Sequence, residues 1–308
     1  MDENKKKLWK EAIKWPLYSV AILPVFISGA YILNQYEKVK IYNLVAFTLA
    51  AILILLWENL TNDLFDAETG IDEFKFHSIV HLIKNKKLIS FFAYTSLVIG
   101  LLIISIISVS TSINILILVV ACCFLGYLYQ GPPFRFGYQG LGEPLCWIAF
   151  GPFAYSAILI SLNPTNIYFE DIPWKVSLLL GSGPSLATTL VLFCSHFHQI
   201  SEDKKHGKNS PLVRLGAKKG SQFVPWIIFT IYIFQLLTIV TGFIPVFCIL
   251  YLISFPQAIR LINLLKSSYA KPSAIKNCKF VAIKFQTLNG IGLITGCLLY
   301  TSPSPRDP

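Results

Sequence analysis

Charged residues are scarce in this sequence. Asp, Glu, Lys and Arg make up 14% of its 308 residues, whereas 54% of the residues are hydrophobic. Typical soluble domains carry about a quarter charged residues, so a soluble fold of this composition would expose too much apolar surface. Apolar runs of about 17 to 22 residues recur instead, and each is long enough to cross roughly 30 Å of hydrocarbon as a helix. The composition excludes a soluble domain and predicts a polytopic membrane protein.

Three other patterns are missing. No series of segments about ten residues long alternates in polarity, which excludes a transmembrane β-barrel. The seven Cys residues show no CxxC spacing, so we expect neither a disulfide framework nor a zinc site. The first residues, MDENKKKLWKEAIKWP, resemble neither a cleaved signal nor an organelle transit peptide. This favours a bacterial or organelle-encoded protein, or a chain without its targeting segment.

The apolar runs predict an all-α fold, a membrane helix bundle with about nine transmembrane helices. Pro and Gly inside several runs are compatible with this prediction because neighbouring helices can satisfy the freed backbone groups. The predicted spans cover residues 15–33, 41–60, 88–109, 113–130, 144–162, 176–197, 223–243, 244–262 and 284–300.

The formal charge of +10 is unevenly distributed over the loops. Most of the 26 Lys and Arg residues precede the first predicted span or follow the even-numbered spans. This bias predicts a cytoplasmic N-terminus by the positive-inside rule. A nucleic-acid-binding protein would concentrate its basic residues in one patch, whereas this charge follows membrane sidedness. We therefore expect membrane lipid, and no nucleic acid, among the partners.

A stripe of polar residues follows the apolar part of the second span, in WENLTNDLFDAETGIDEF. If the helix continues, Asn59, Asp63 and Asp66 lie at positions i, i+4 and i+7 of one face. Glu58, Asn62 and Asp66 lie at i, i+4 and i+8 of the same stripe. Carboxylates at the edge of hydrocarbon need a cation, a partner or water. The stripe indicates that something specific neutralises these acids.

Gly70 is expected to end this helix, after which Asp72 folds back towards the stripe. Several oxygen ligands without His or Cys suit a hard cation such as Mg²⁺. The alternative is a frayed helix end with solvated acids.

A second polar cluster, SHFHQISEDKKHGKNSPLVRLG, follows the sixth span. Its candidate ligands and anion-binding residues are His198, Gln199, Glu202, Asp203, Lys204, Lys208 and Arg214. Acids from two different spans could hold metal ions between them, because Mg²⁺ is normally bound by one or two carboxylates plus substrate phosphates. Attraction of a basic loop to anionic lipid is the simpler explanation for Lys218 and Lys219. We expect His196 and His206 to be structural or solvated.

A third polar segment, GYLYQGPPFRFGYQGLGE, follows the fourth span. Arg135 is its only strong cation, and a guanidinium group can bind diphosphate oxygens with two hydrogen bonds. Tyr127, Tyr129, Phe134, Phe136 and Tyr138 offer flat faces for an aromatic acceptor or a carbocation. The segment could also be an ordinary structured turn. Together with two acidic clusters on the same membrane face, it predicts the third wall of one site.

These three segments together resemble the UbiA superfamily of intramembrane aromatic prenyltransferases, in its 1,4-dihydroxy-2-naphthoate branch. NDLFDAETGID is similar to the first aspartate motif, and YQGPPFRFGYQGLGE to the Tyr…Pro-Pro…Arg loop. HFHQISEDKKHGKNSPLVRLG resembles the variant second motif of the phylloquinone-forming members. The general second motif has two aspartates four residues apart, but Gln199 stands at the first position here.

The resemblance implies a role for each matching residue. Metal ligands for Mg²⁺ would be Asn62, Asp63, Asp66 and Asp72 for one ion and Glu202 and Asp203 for a second. Diphosphate-binding residues would be Arg135, Lys208 and Arg214. The acceptor and carbocation pocket would contain Asn59, Tyr129, Tyr138, His198 and Gln199. Asp63, Asp66, Arg135 and Asp203 would be the catalytic residues among them.

The implied reaction is Mg²⁺-dependent transfer of a phytyl or longer prenyl group from its diphosphate to 1,4-dihydroxy-2-naphthoate or 2-carboxy-1,4-naphthoquinone. Decarboxylation of the acceptor would follow, in phylloquinone or menaquinone biosynthesis. Other acceptors (homogentisate, 4-hydroxybenzoate or chlorophyllide) remain alternatives, since they would use the same diphosphate site. A secondary transporter is the alternative from another class, but transporter ion sites lie near the bilayer midplane.

The resemblance also implies one transmembrane prenyltransferase domain over residues 1–300. It would lie in a bacterial, cyanobacterial-type inner or thylakoid membrane, with its active-site loops cytoplasmic. The last residues, YTSPSPRDP, end the ninth span abruptly. We expect residues 301–308 to be a non-native tail.

Overall fold

The computed structural model describes residues 8–9, 12–71, 78–164 and 172–299. Within these ranges the chain is helical and contains no strand. The α-helices are α1 (Ser19–Tyr36), α2 (Ile41–Thr69), α3 (Ile79–Ile83), α4 (Lys86–Ser110), α5 (Ile113–Gln130), α6 (Gly142–Ile148), α7 (Ala154–Leu162), α8 (Trp174–Ser195), α9 (Ile200–Lys205), α10 (Pro211–Val240), α11 (Phe255–Ser268), α12 (Pro272–Ile275) and α13 (Cys278–Leu299). Short 3-10 segments (Trp15–Tyr18, Phe136–Gln139, Val246–Ser254) and a π-helical turn (Ala149–Phe153) join some of them.

Nine of the helical segments in these ranges are long and apolar enough to cross a membrane, as the sequence predicts. They are Trp15–Tyr36, Ile41–Thr69, Lys86–Ser110, Ile113–Gln130, Gly142–Leu162, Trp174–Ser195, Pro211–Val240, Val246–Ser268 and Pro272–Leu299. The all-α membrane bundle is therefore confirmed.

Helix α2 continues well beyond its apolar part and carries the acidic stripe as regular helix. It ends at Gly70, whose φ of 76° lies in the left-handed region that glycine adopts without strain. The seventh span likewise begins earlier than predicted, at Pro211, because the Ser210 side chain accepts a hydrogen bond from the Val213 backbone N–H and caps the helix. Gly216, with φ 76°, interrupts its first turns. Polar helical turns thus extend the second span at its C-terminal end and the seventh span at its N-terminal end.

Close backbone contacts hold the last spans together. A Cβ atom on Gly296 of α13 would lie 2.4 Å from the Cα of Cys248, so only glycine lets α13 approach the 3-10 segment Val246–Ser254. Gln235 of α10 and Asn289 of α13 form two reciprocal side-chain hydrogen bonds. Small residues and buried amides of this kind drive helix association in lipid, where the hydrophobic effect contributes little.

Large apolar side chains cover the outside of the bundle. Examples that are more than half exposed are Phe91, Ile106, Val109, Ile117, Trp226, Phe229 and Val240. A soluble protein would not expose so many, whereas hydrocarbon solvates them well. Together with the nine spans, this surface defines an integral multi-pass membrane protein.

Candidate active site

One cavity of about 840 Å³ lies within the bundle. Most of its wall is apolar and comes from several spans: Val25, Phe47, Leu55, Trp57, Ile104, Val119 and Ile158. A group of polar residues, here called the polar cap, closes one end: Asn62, Asp66, Glu202, Asp203 and Lys208. The cavity therefore combines an apolar chamber with a charged end.

Asp66 of α2 is buried, and its carboxylate is held by the third polar segment. The hydroxyl of Tyr138 donates a hydrogen bond to Asp66 Oδ1 at 2.9 Å, and the Thr69 hydroxyl lies 2.9 Å from the same Tyr138 oxygen. Burial, and next the negative charge of Asp66, raise the pKa of the Tyr138 hydroxyl well above its usual value. Tyr138 therefore keeps its proton and remains a donor to Asp66.

Asp203, at the start of the short helix α9, lies on the other side of the cap and is also buried. Its Oδ1 is 3.9 Å from Lys208 Nζ, and the Ser210 hydroxyl is 3.5 Å from Oδ2. Lys208 Nζ lies 5.3 Å from the centroid of the Tyr138 ring, within the range of a cation–π contact. Tyr138 thus touches Asp66 with its hydroxyl and Lys208 with its ring, so the two acidic motifs belong to one assembly.

Asp63 of α2 has partners in the N-terminal segment and in α3, and its role as a metal ligand stays a prediction. Its carboxylate is almost fully buried, and Lys14 Nζ lies 3.1 Å from Oδ1. The backbone N–H of Ile79, at the start of α3, donates to Oδ2 at 3.3 Å. Asp63 does not line the cavity, whereas Asn62 and Asp66 do. In this structure Asp63 joins the N-terminal segment and α3 to α2. Asp72, the remaining predicted ligand of this motif, lies outside the described residues.

The two predicted arginines do not line the cavity either. Arg135 Nη2 lies 3.3 Å from Glu68 Oε2, and the guanidinium carbon is 5.9 Å from the Tyr138 ring centroid. The guanidinium of Arg214 donates to the backbone carbonyls of Gln139 and Asn209. It therefore ties the third polar segment to the loop before α10. Contact of Arg135 and Arg214 with diphosphate stays a prediction.

The predicted acceptor residues Asn59, Tyr129, His198 and Gln199 all line the cavity. The Tyr129 ring packs against later glycines of its own segment, and a Cβ atom on Gly137 or Gly142 would lie 2.7 Å or 2.6 Å from the ring. These glycines therefore let the rest of the segment fold directly onto Tyr129. Tyr138, also predicted for the acceptor pocket, does not line the cavity, and its hydroxyl is engaged with Asp66.

Several residues of the cavity were not among the predicted site residues. Lys14, Lys276 and Lys279 line it, but in the sequence they look like ordinary cytoplasmic lysines. Glu58 of α2 and His196 line it as well. His196 Nδ1 lies 3.7 Å from Glu143 Oε1. Of these residues, only Glu58 could have been predicted from the sequence, because it lies on the acidic stripe of the second span.

The charges of the cavity bear on whether a metal ion fits. Among the described residues, its lining contains four carboxylic acids (Glu58, Asp66, Glu202, Asp203) and four lysines (Lys14, Lys208, Lys276, Lys279). The formal charges of these eight side chains cancel, so they leave no excess positive charge for a diphosphate. In the part of the chain that the structure describes, no group of three or more His, Cys, Asp or Glu side chains is close enough to hold a metal alone. Mg²⁺ is usually bound by one or two carboxylates together with substrate phosphates. The cap fits such an ion as part of a complex with the diphosphate.

A profile of the UbiA prenyltransferase family matches residues 21–283. The chain belongs to this family, as the three motifs indicated, and is a membrane-embedded prenyltransferase. The likeness to a solved structure of a digeranylgeranylglyceryl phosphate synthase supports the same fold, with a TM-score of 0.61 at 15% identity over 96% of this chain and 100% of that chain.

Particular relatives are more similar in sequence. The 2-carboxy-1,4-naphthoquinone phytyltransferase of Synechocystis sp. is 37% identical over 94% of this chain and 93% of the relative. The chloroplastic 2-carboxy-1,4-naphthoquinone phytyltransferase of Arabidopsis thaliana is 36% identical over 96% of this chain and 77% of the relative. The 1,4-dihydroxy-2-naphthoate octaprenyltransferase of Bacillus subtilis is 22% identical over 80% of this chain and 78% of the relative.

Proposed function

We propose that this prenyltransferase transfers a phytyl group from phytyl diphosphate to 1,4-dihydroxy-2-naphthoate or 2-carboxy-1,4-naphthoquinone. The reaction would depend on Mg²⁺, release the acceptor's carboxyl group as CO₂ and serve phylloquinone or menaquinone biosynthesis. Two relatives named as phytyltransferases of this acceptor are 37% and 36% identical to the chain, whereas the octaprenyl-transferring relative is 22% identical. This difference favours phytyl over a longer prenyl donor.

One structural observation carries the proposal. Asp66 from the second span and Asp203 from the segment after the sixth line the same end of the same apolar cavity. A transporter would instead place such groups near the middle of the bilayer. Acids at one end of an apolar chamber suit a substrate with a charged diphosphate head and a long apolar tail.

Within this site, Asp66 and Asp203, with Asn62 and Glu202, would hold the diphosphate through bound Mg²⁺. Bound Mg²⁺ would supply positive charge to the diphosphate oxygens as the allylic C–O bond breaks. Lys208 would stabilise the departing diphosphate, because its ammonium group lies beside Asp203 at the cap. The apolar wall excludes water that would otherwise capture the allylic cation.

The acceptor would lie beside Asn59, Tyr129, His198 and Gln199, which all line the cavity. The Tyr129 ring offers its face to the acceptor or to the developing cation. The proposal places the polar cap and the N-terminus on the cytoplasmic side of a bacterial, cyanobacterial-type membrane. It treats residues 1–300 as one domain and residues 301–308, which lie outside the described residues, as a non-native tail.

Membranes that contain the full chain test the proposal. They would be incubated with Mg²⁺, with phytyl or octaprenyl diphosphate, and with 1,4-dihydroxy-2-naphthoate, homogentisate or 4-hydroxybenzoate as separate acceptors, and the products identified by mass. We expect a phytylated naphthoquinol or naphthoquinone without the carboxyl group, and none when Mg²⁺ is chelated. Transfer to homogentisate or 4-hydroxybenzoate, with none to the naphthoate, would overturn the assignment of the acceptor.

A further inference from the structure

Glu58 is a carboxylic acid within the second span that the diphosphate site does not use. It lies eight residues before Asp66, which corresponds to about 12 Å along the helix axis. Both residues line the cavity. In the described part of the chain, the Glu58 carboxyl group has no ion pair or hydrogen bond with another side chain. An ionisable side chain at this depth is costly and indicates function.

The surroundings of Glu58 fix its position. Gln130 of α5 donates a side-chain hydrogen bond to the Glu58 backbone carbonyl at 3.1 Å and another to the Thr61 hydroxyl at 2.7 Å. Gly126 of the same helix faces the Glu58 side chain, and a Cβ atom there would lie 3.4 Å from Oε1. This is an ordinary van der Waals distance, so α5 packs directly beside the Glu58 carboxyl group. The Glu58 backbone and side chain are therefore both in contact with α5.

The neighbouring Asn59 offers the complementary group. Its side-chain nitrogen is buried without a hydrogen-bond partner in the described ranges, and the residue lines the same cavity. Glu58 and Asn59 thus present an acceptor and a donor of hydrogen bonds in a chamber whose other lining includes Trp57, Tyr129 and Phe150. A flat ring that carries a hydroxyl group beside a second oxygen matches this arrangement.

We infer that Glu58 is a further catalytic residue, whose carboxylate binds a hydroxyl group of the aromatic acceptor and takes its proton during prenyl transfer. The inference rests on the proposed function with 1,4-dihydroxy-2-naphthoate as the acceptor, because 2-carboxy-1,4-naphthoquinone has no ring hydroxyl group. With the diphosphate at Asp66 and Asp203, as proposed, the reacting allylic carbon would lie on the chamber side of the cap. A ring that meets this carbon would then lie in the part of the chamber between the cap and Glu58.

The proton and electron movements balance. A ring carbon next to the hydroxyl-bearing carbon forms a bond to the allylic carbon, and the diphosphate leaves with the electron pair of the broken C–O bond. The hydroxyl oxygen becomes a ring carbonyl, and its proton passes to a Glu58 oxygen. When CO₂ leaves, the electron pair of the broken C–C bond returns to the ring, and Glu58 returns the proton to the oxygen. A positioned base of this kind contributes about 100-fold or more to the rate.

The inference is tested with Glu58→Gln, which keeps the shape but removes the base, and with Glu58→Leu, which removes both polar functions. Glu37→Gln is the matched control, because Glu37 is an exposed carboxylate outside the cavity. Two inhibitors, 1-hydroxy-2-naphthoate and 2-naphthoate, differ only in the hydroxyl group, and the ratio of their inhibition constants measures its recognition. The acceptor and donor KM and kcat are measured alongside.

We expect the wild type and Glu37→Gln to bind the hydroxylated inhibitor about tenfold to 100-fold more tightly, as for a hydrogen bond to a charged group. The ratio should fall in Glu58→Gln and approach one in Glu58→Leu. In Glu58→Gln, kcat should fall about 100-fold while the donor KM changes less than about twofold. An unchanged donor KM also shows that the variant is folded.

A wild-type ratio and kcat in Glu58→Gln would overturn the role of Glu58 while leaving the proposed function intact. Conversely, a wild type that prenylates only another hydroxylated aromatic compound would refute the proposed acceptor. The same ratio, measured with that compound and its deoxy analogue, would then decide the role of Glu58 separately.

Discussion

The hydroxyl of Tyr138 donates a hydrogen bond of 2.9 Å to Asp66 Oδ1. The same tyrosine lies under Lys208, whose ammonium nitrogen is 5.3 Å from the ring centroid and 3.9 Å from Asp203 Oδ1. One side chain from the third polar segment therefore lies between the first and second acidic motifs. The orientation of Asp66 therefore depends on a loop that lies between the two motifs in the chain.

Replacement of this tyrosine tests the connection. Tyr138→Phe keeps the ring under Lys208 but removes the donor to Asp66, so we expect kcat/KM to fall about tenfold to 100-fold, the usual cost of a hydrogen bond to a charged group. Because the Tyr138 pKa is raised, its proton stays in place up to at least about pH 10. The variant should therefore be impaired equally from pH 6 to 9. Tyr36→Phe, at an exposed tyrosine of α1, serves as the control, and equal rates in the two variants would contradict the prediction.

The two cations nearest Tyr138 should differ in their effect on the donor. Lys208 lines the cavity, whereas Arg135 is paired with Glu68 outside its lining. We expect Lys208→Gln to raise the donor KM by about tenfold or more, because a charge-assisted contact is lost. Arg135→Gln should raise it by a smaller factor, because the Arg135 guanidinium group is already paired with Glu68. Initial rates at varied donor concentration measure both values, and the reverse order would show that Arg135 contributes more to diphosphate binding than Lys208.

The contact between Lys14 and Asp63 predicts a stability effect. The Asp63 side chain is 1% exposed and that of Lys14 is 15% exposed, with 3.1 Å between Nζ and Oδ1. Lys14→Met removes the lysine partner of this buried carboxylate, and removing one partner of a buried ion pair costs about 3 kcal/mol or more in comparable cases. We expect the melting temperature of the purified protein in detergent to fall by several degrees.

Two controls accompany this measurement. Lys38→Met, at an exposed lysine, should leave the melting temperature unchanged. Lys14→Met combined with Asp63→Asn should recover part of the loss, since the uncompensated charge is then removed. If the double variant is as unstable as Lys14→Met, or less stable, then loss of the ion pair does not cause the drop in melting temperature.

The packing of the last two spans predicts a position that tolerates only glycine. A Cβ atom on Gly296 would lie 2.4 Å from the Cα of Cys248, closer than nonbonded carbon atoms approach. Gly296→Leu should therefore separate the helices and strongly reduce the yield of folded protein in detergent. Thr295→Leu, at the exposed neighbour, should be tolerated because it faces the outside of the bundle. Size-exclusion profiles of the two variants make the comparison, and a normal profile for Gly296→Leu would contradict the packing.

The helix bundle, and those cap residues whose position follows from helical spacing, could be predicted from the sequence. Apolar length marked the nine spans, and the helical spacing of Asn62 and Asp66 placed both on one side of α2. Helix α2 ends at Gly70, as its conformational freedom predicted. The link between Asp66 and Asp203 depends on tertiary packing, and it was predicted from their common membrane face and the family resemblance rather than from spacing.

Other features could not be derived from local pattern. Lys14 looks like one lysine of a basic N-terminal run, and only the folded chain brings it to Asp63. Arg214 carries the chemistry of an anion-binding residue, yet in the fold its donors are used by the carbonyls of Gln139 and Asn209. A side chain with several hydrogen-bond donors can either bind a ligand or hold the fold together. Its position in the sequence does not distinguish these two roles.

Binding of a non-reactive donor analogue, phytyl thiodiphosphate, tests most directly whether Asp66 and Asp203 share one metal–diphosphate complex. Its affinity for the purified full chain would be measured with and without Mg²⁺ in the wild type, Asp66→Asn, Asp203→Asn and the double variant. We predict tight binding by the wild type only with Mg²⁺, a loss of about tenfold or more in each single variant, and a double variant hardly weaker than either. Wild-type affinity in Asp203→Asn, or losses that simply add in the double variant, would contradict a shared site.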